Sequence, residues 1–103
     1  MQKGYLYIIQ NRAWPKWVKV GITTNIKNRL HTYQTGAPLR DYKVLYLIEH
    51  PKYKEAEKRV KKLMKPFAKQ IKKEWFQIEI EMAKNSLDTL LTEYYLPKSR
   101  ITL

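Results

Sequence analysis

The sequence contains no cysteine, which excludes disulfides and thiolate zinc sites and agrees with a reducing compartment. It has only two histidines, His31 and His50, too few for a histidine metal centre, so both read as ordinary polar positions. No apolar run reaches the ~18 residues that a membrane span needs, and no juxtamembrane lysine cluster is present, so a membrane partner is not expected. Glycine is scarce, at three residues, and there is no repeat, low-complexity tract or flexible linker. The opening Met-Gln-Lys-Gly-Tyr lacks the features of a signal peptide, so an intracellular protein is expected, cytoplasmic, or nuclear in a eukaryotic or viral-host setting. Acidic residues are few, nine against 21 Lys and Arg.

What is present follows from that imbalance. The formal charge of +12 costs self-repulsion in a folded chain, and a polyanion offsets it. Nucleic acid is the commonest such partner; a basic surface with no partner is the plainer reading. The chain of 103 residues fits one domain, spanning residues 1–103, with a hydrophobic fraction of 44% that allows a packed core. Eight tyrosines and three tryptophans must be partly buried or serve as stacking surfaces.

"GYLYIIQN" (Gly4 to Asn11) and "WVKVGI" (Trp17 to Ile22) read as a hairpin around Asn11 and Pro15. Strand parity sets Leu6, Ile8, Val18 and Val20 on one face against a core, and Tyr7 and Lys19 on the other. A helix is expected from about Asn25 to Gln34, with Thr23, Thr24 and Asn25 as alternative N-caps and Gly36 and Pro38 as the stop. Ile26 and Leu30 suit its buried side, and Arg29 and Tyr33 are surface neighbours. "YKVLYLIEH" (Tyr42 to His50) is apolar almost throughout, which predicts a central strand. Tyr53, Ala56, Val60, Leu63, Met64 and Phe67 then follow helical spacing, with Pro66 ending or kinking the helix. "EWFQI" (Glu74 to Ile78) suits a short strand, and Ile80, Ala83, Leu87, Leu90, Leu91 and Tyr94 mark a last helix over about 80–96. The tail "KSRITL" reads as either disorder or an edge strand. The expected fold class is α+β, a small, mostly antiparallel sheet of three strands plus the short EWF strand, flanked by helices.

In this order the residues resemble the GIY-YIG nuclease superfamily over roughly residues 4–78. "GYLYIIQN" is similar to the first motif, with Tyr7-x-Ile9-x-Asn11 in its usual continuation and Gly4 one residue further upstream. "KVG" (Lys19 to Gly21) stands at the second motif, with lysine where most members have tyrosine. Gly21 leads into a turn and helix that carry Arg29, at the spacing of the family arginine, and Tyr33 matches a position often held by His or Tyr. Glu57 resembles the metal-binding glutamate, and "EWFQI" resembles a signature of a compact phage- and virus-associated branch. For the late asparagine of several members only Asn85 offers itself.

The resemblance implies a metal-dependent endonuclease hydrolysing DNA phosphodiester bonds; the alternative is a noncatalytic nucleic-acid-binding module on the same fold. Tyr7 would be the general base, its phenol, with an ordinary pKa of about 10, made more acidic by Lys19 and Arg29. Arg29 would grip phosphate oxygens by a two-pronged contact. Glu57 would hold one Mg²⁺ or Mn²⁺, and Tyr33 would position water or phosphate. No small-molecule cofactor is implied. With no separate DNA-reading domain read in the sequence, the protein is expected either to be weakly sequence-specific alone or to need a homodimer or an accessory specificity partner.

Each residue also has a plain reading. Tyr7 is then a packed strand aromatic, Lys19 a solvated strand residue, Arg29 a surface charge, and Glu57 the partner of Lys61 four residues on. Glu74, in the EWF signature, reads either as a second acidic contributor or, preferably, as the end of a turn, while Trp75 and Phe76 fill core space. Lys58, Arg59, Lys61, Lys62, Lys65, Lys69, Lys72 and Lys73 form the densest basic stretch. Such a run is usually a solvated face; the net charge favours a track for DNA phosphates. Trp14 and Trp17, near Arg12 and Lys16, either stack on bases or pack on the body.

Overall fold

Parity in the first two strands sorts the side chains as predicted. Leu6, Ile8, Val18 and Val20 are buried together, with Ile48, Ala56, Val60, Met64 and Leu87 around them. The computed structural model describes residues 4–35 and 41–97, so Gly36, Pro38 and the tail from Lys98 lie outside the described residues. The elements are β1 (Gly4–Asn11), β2 (Trp17–Thr23), α1 (Ile26–Thr35), β3 (Tyr42–His50), α2 (Tyr53–Met64), a 3-10 turn (Lys65–Phe67), β4 (Gln70–Lys72), β5 (Trp75–Gln77) and α3 (Ile80–Glu93). The fold is α+β, a five-stranded antiparallel sheet in the order β3-β1-β2-β5-β4 flanked by three helices. Among the described residues no helix is long and apolar enough to cross a membrane.

Three expectations are corrected. First, β3 is an edge strand, not a central one, pairing with β1. Its apolar run arises because both of its faces are covered: Ile48 joins the main core and Leu47 a second core with Tyr7 and Ile9. The register slips between Ile8 and Ile9, which face Tyr46 and Val44, so the intervening Leu45 is an extra residue and also packs on the main core. Second, β4 was not foreseen, since its three residues, Gln-Ile-Lys, are all exposed and sit inside the lysine run. Third, Phe67 does not join the helical apolar face. Pro66 stops α2, and the chain leaves it as a 3-10 turn with Phe67 exposed.

His50 is not an ordinary polar position either. It is buried, its Nδ1 accepts a hydrogen bond from the Lys52 backbone N–H at 3.0 Å, and its ring meets Tyr94 edge-on at 4.4 Å. Burial holds its pKa below the ordinary 6.5, against the opposing pull of the Leu90 backbone and the Glu55 carboxylate. The unfolded chain therefore takes up a proton near pH 6.5 that the folded chain refuses. This contribution to stability is complete above pH 6.5 and is lost as the pH falls through the lower folded value. Thermal melts between pH 7.5 and 5.5 should show a falling midpoint, and His50→Asn, which keeps an acceptor for Lys52, should flatten the slope.

Candidate active site

Cross-strand pairing sets up the site. Tyr7 pairs with Gly21 and Ile9 with Lys19, so Tyr7, Lys19 and Gly21 share the face opposite the main core. Gly21 lies inside β2 and does not make the turn assigned to it from the sequence. It makes room: a Cβ there would lie 2.3 Å from the Tyr7 Oη.

Helix α1 then covers Tyr7. Of the three candidate caps Asn25 serves, its Oδ1 accepting from the Asn28 N–H at 3.1 Å, while Thr23 Oγ1 accepts from the Asn25 N–H at 3.0 Å. Ile26 and Leu30 pack on Tyr7, Ile9 and Leu47. That seating brings Tyr33 to Tyr7, hydroxyl to hydroxyl at 3.2 Å with the rings edge-on at 6.4 Å. Arg29 is exposed one turn earlier, and its guanidinium has no ion-pair partner among the described residues.

Lys19 is half-buried. Its Nζ lies 2.8 Å from Glu74 Oε2 and 5.5 Å from the centre of the Tyr33 ring. Burial alone would make this ammonium easier to deprotonate, but the Glu74 carboxylate and the Tyr33 phenol outweigh it and its pKa is raised. The Lys19 contact holds the Glu74 carboxyl below its ordinary value, helped by the charge of Lys61. Lys61 in turn pairs with Glu57 at 3.7 Å.

The structure thus places Tyr7, Lys19, Arg29 and Tyr33 on the α1 side of the sheet, whereas Glu57 comes from α2, which packs on the main-core face. Tyr7, Tyr33 and Lys19 form a contact chain, extended by Glu74. Arg29 and Glu57 stand off from it but act on the Tyr7 phenol through their charges. Glu74, for which the turn reading was preferred to that of a second acidic contributor, in fact pairs with Lys19. Strand parity gives no signal for it: Trp75 pairs with Lys19, and Glu74 reaches the ammonium from the turn just before β5.

One expected effect is reversed. Tyr7 was to be acidified by Lys19 and Arg29. Instead its pKa is raised, first by burial and then by its hydrogen bond to Tyr33, and the pull of Arg29 is too weak to compensate. The phenol is 2% exposed, and the charge of Lys19 is spent on Glu74. Tyr7 is therefore a neutral phenol in the free protein.

The basic run is not one track. Arg59 faces α3 and makes a two-pronged contact with Glu93, at 3.2 and 3.3 Å. Lys61 faces the site, while Lys58, Lys62 and Lys65 point outward from the α2 end. Lys69, Lys72 and Lys73 belong to the hairpin of β4 and β5. Helical rotation of about 100° per residue divides the α2 charges, and the strands carry the rest to another edge.

Comparison with known families adds one finding. The T5orf172 domain model matches residues 4–91. The chain belongs to the T5orf172 domain family. Membership points to a nuclease or DNA-binding module. No curated protein and no solved structure matches the chain. The matched part of this T5orf172 domain takes in every residue of the contact chain, as well as Arg29 and Glu57.

Proposed function

We propose that the protein is a divalent-metal-dependent endonuclease of GIY-YIG type that hydrolyses DNA phosphodiester bonds. The observation that carries this reading is that the Tyr7 phenol touches a second phenol, with the Lys19 ammonium over that ring, and lies within electrostatic reach of the Arg29 guanidinium and the Glu57 carboxylate. Membership of the T5orf172 family supports it.

The residues divide the work as follows. Arg29, exposed and unpaired among the described residues, grips the non-bridging oxygens of the scissile phosphate. Tyr33 is the outer phenol, nearer solvent than Tyr7, and in its phenolate form takes the proton of the attacking water. Lys19, which stands over its ring, stabilises that phenolate before the transfer, and the neutral phenol is what remains after it. Tyr7 is the inner member, a neutral hydroxyl that orients Tyr33, rather than the base itself. The water oxygen bonds to phosphorus as the bond to the leaving sugar oxygen breaks, and that oxygen picks up a proton from solvent.

Glu57 is the residue to hold Mg²⁺ or Mn²⁺. Among the described residues no three acidic or histidine side chains gather, so a cation here would have at most two such protein ligands. That suits a hydrated ion completed by phosphate oxygens better than an all-protein cage. When bound, the ion supplies charge neutralisation for the leaving oxygen.

Burial of Tyr7 favours a second reading, a noncatalytic nucleic-acid-binding module. One assay separates the two. Supercoiled plasmid and single-stranded circular DNA are incubated with Mg²⁺ or Mn²⁺, and with chelator. The endonuclease reading expects metal-dependent nicking, reduced at least about 100-fold in Glu57→Gln with the fold intact. DNA that is bound but never cut supports the second reading instead.

A further inference from the structure

The sheet face that carries Tyr7 is covered unevenly. Helix α1 packs over the β1 and β3 end. Over β2, β5 and β4 the same face presents Trp17, Lys19, Trp75 and Lys72, as their pairings dictate. Here the surface opens into a cleft of about 370 Å³ lined by Trp14, Trp17, Trp75, Lys72 and Lys73. All three tryptophans of the chain meet in it.

The cleft is built, not left over. Trp14 is 50% exposed, yet it is tied in place. Its N–H bonds to the Asn11 carbonyl at 2.9 Å, its own carbonyl accepts from the Trp17 N–H at 3.1 Å, and its ring stands edge-on to Trp75 at 5.8 Å. The buried Asn11 closes the same turn, its Oδ1 accepting from the Ala13 N–H at 2.8 Å. On the facing lip Lys73 holds a left-handed backbone, φ 54°, where glycine would be unstrained. An unbroken series of ring contacts joins this cleft to the candidate centre. Trp75 meets Tyr42 at 6.5 Å, Tyr42 meets Tyr33 at 5.1 Å, and Tyr33 meets Tyr7 at 6.4 Å.

Flat aromatic walls beside two ammonium groups match a heterocycle attached to phosphate. A duplex hides its base faces within the stack; a single strand offers them. We propose that this cleft takes unstacked bases of a single-stranded nucleic acid, base faces against the tryptophans and backbone phosphates against Lys72 and Lys73. Deoxy and ribo strands share this chemistry. The binding claim stands apart from the endonuclease reading; only its consequence, cutting next to unpaired nucleotides, rests on that reading.

The test is done on the whole chain, in chelator so that nothing is cut. The probes are a 12-nucleotide thymidine oligomer, its uridine counterpart, an abasic oligomer of equal charge and a blunt duplex. Titration is followed by tryptophan fluorescence and by a labelled strand. Either base-bearing strand should bind about 5- to 100-fold more tightly than the abasic one and quench the tryptophans. The tighter of the two names the natural source. Trp14→Ala, at a half-exposed position that spares the core, should erase most of this advantage without moving abasic affinity, and Trp14→Tyr should restore part of it. Lys73→Gln should weaken all three single strands alike and lower the salt slope. Equal affinity for base-bearing and abasic strands, a preference for the duplex, or indifference to Trp14→Ala overturns the proposal. Failure of plasmid nicking with this pattern intact overturns only the endonuclease reading.

Discussion

Arg29→Ala will lower the rate of DNA cleavage by about 10²–10³-fold, the usual cost of removing one donor aimed at developing charge. The fold should not change. Arg29 is exposed on α1, and the second core is held by Ile26, Leu30 and Tyr33 of that helix, not by Arg29. Exposed substitutions away from special features usually stay within about 0.5 kcal/mol. Loss of activity with an unchanged melting midpoint therefore isolates the guanidinium. Arg29→Lys keeps the charge but loses the planar fork, so it should recover a minor part of the rate. Binding in chelator should weaken only slightly, because one phosphate contact is a small share of a +12 protein's attraction to a polyanion. Full cleavage by Arg29→Ala would remove the phosphate-gripping role and, with it, the main support for the chemistry proposed.

The hairpin, the two-faced parity of Tyr7 and Lys19, and the α2 stripe were legible because each is written in local periodicity. Alternation in "YLYIIQ" against "WVKVG" leaves one register that buries Leu6, Ile8, Val18 and Val20 together. What was not legible depended on partners distant in sequence. The apolar run of β3 looks the same whether neighbouring strands or packed helices cover it, and only the fold decides. Three exposed residues in β4 carry no pattern at all; the strand exists because β5 offers it an edge. The Tyr7 phenol was placed on the correct face, but its depth was not readable. Its burial comes from α1 closing over it, and burial reverses the expected shift of its pKa. Lys19 shows the same limit, because the sequence could not say that Glu74 would claim its charge.

Gly21 sharpens that contrast, and its substitution should have a large effect on stability. Among the described residues no glycine has a positive φ, so backbone strain gives Gly21 no reason to be glycine. On backbone entropy alone, alanine at such a site would stabilise by about 0.4–1 kcal/mol. The space is missing, however. A Cβ would lie 2.3 Å from Tyr7 Oη, 2.4 Å from Cζ and 2.9 Å from Cε2. The ring cannot yield, since Ile9, Leu47, Leu30 and Tyr33 pack around it. Gly21→Ala should therefore cost about 2–3 kcal/mol, as overpacked cores do. For a domain of this size that is a fall of roughly 10–20 °C in Tm. Tyr7→Leu removes the atoms that the new methyl meets, so the double variant Gly21→Ala/Tyr7→Leu should be more stable than the sum of the two single changes allows. Its cleavage should stay lost, because Tyr33 no longer has the hydroxyl that orients it. A Gly21→Ala protein that melts at or above the parent temperature would mean that the phenol does not lie over β2, and the inner half of the site would have to be redrawn.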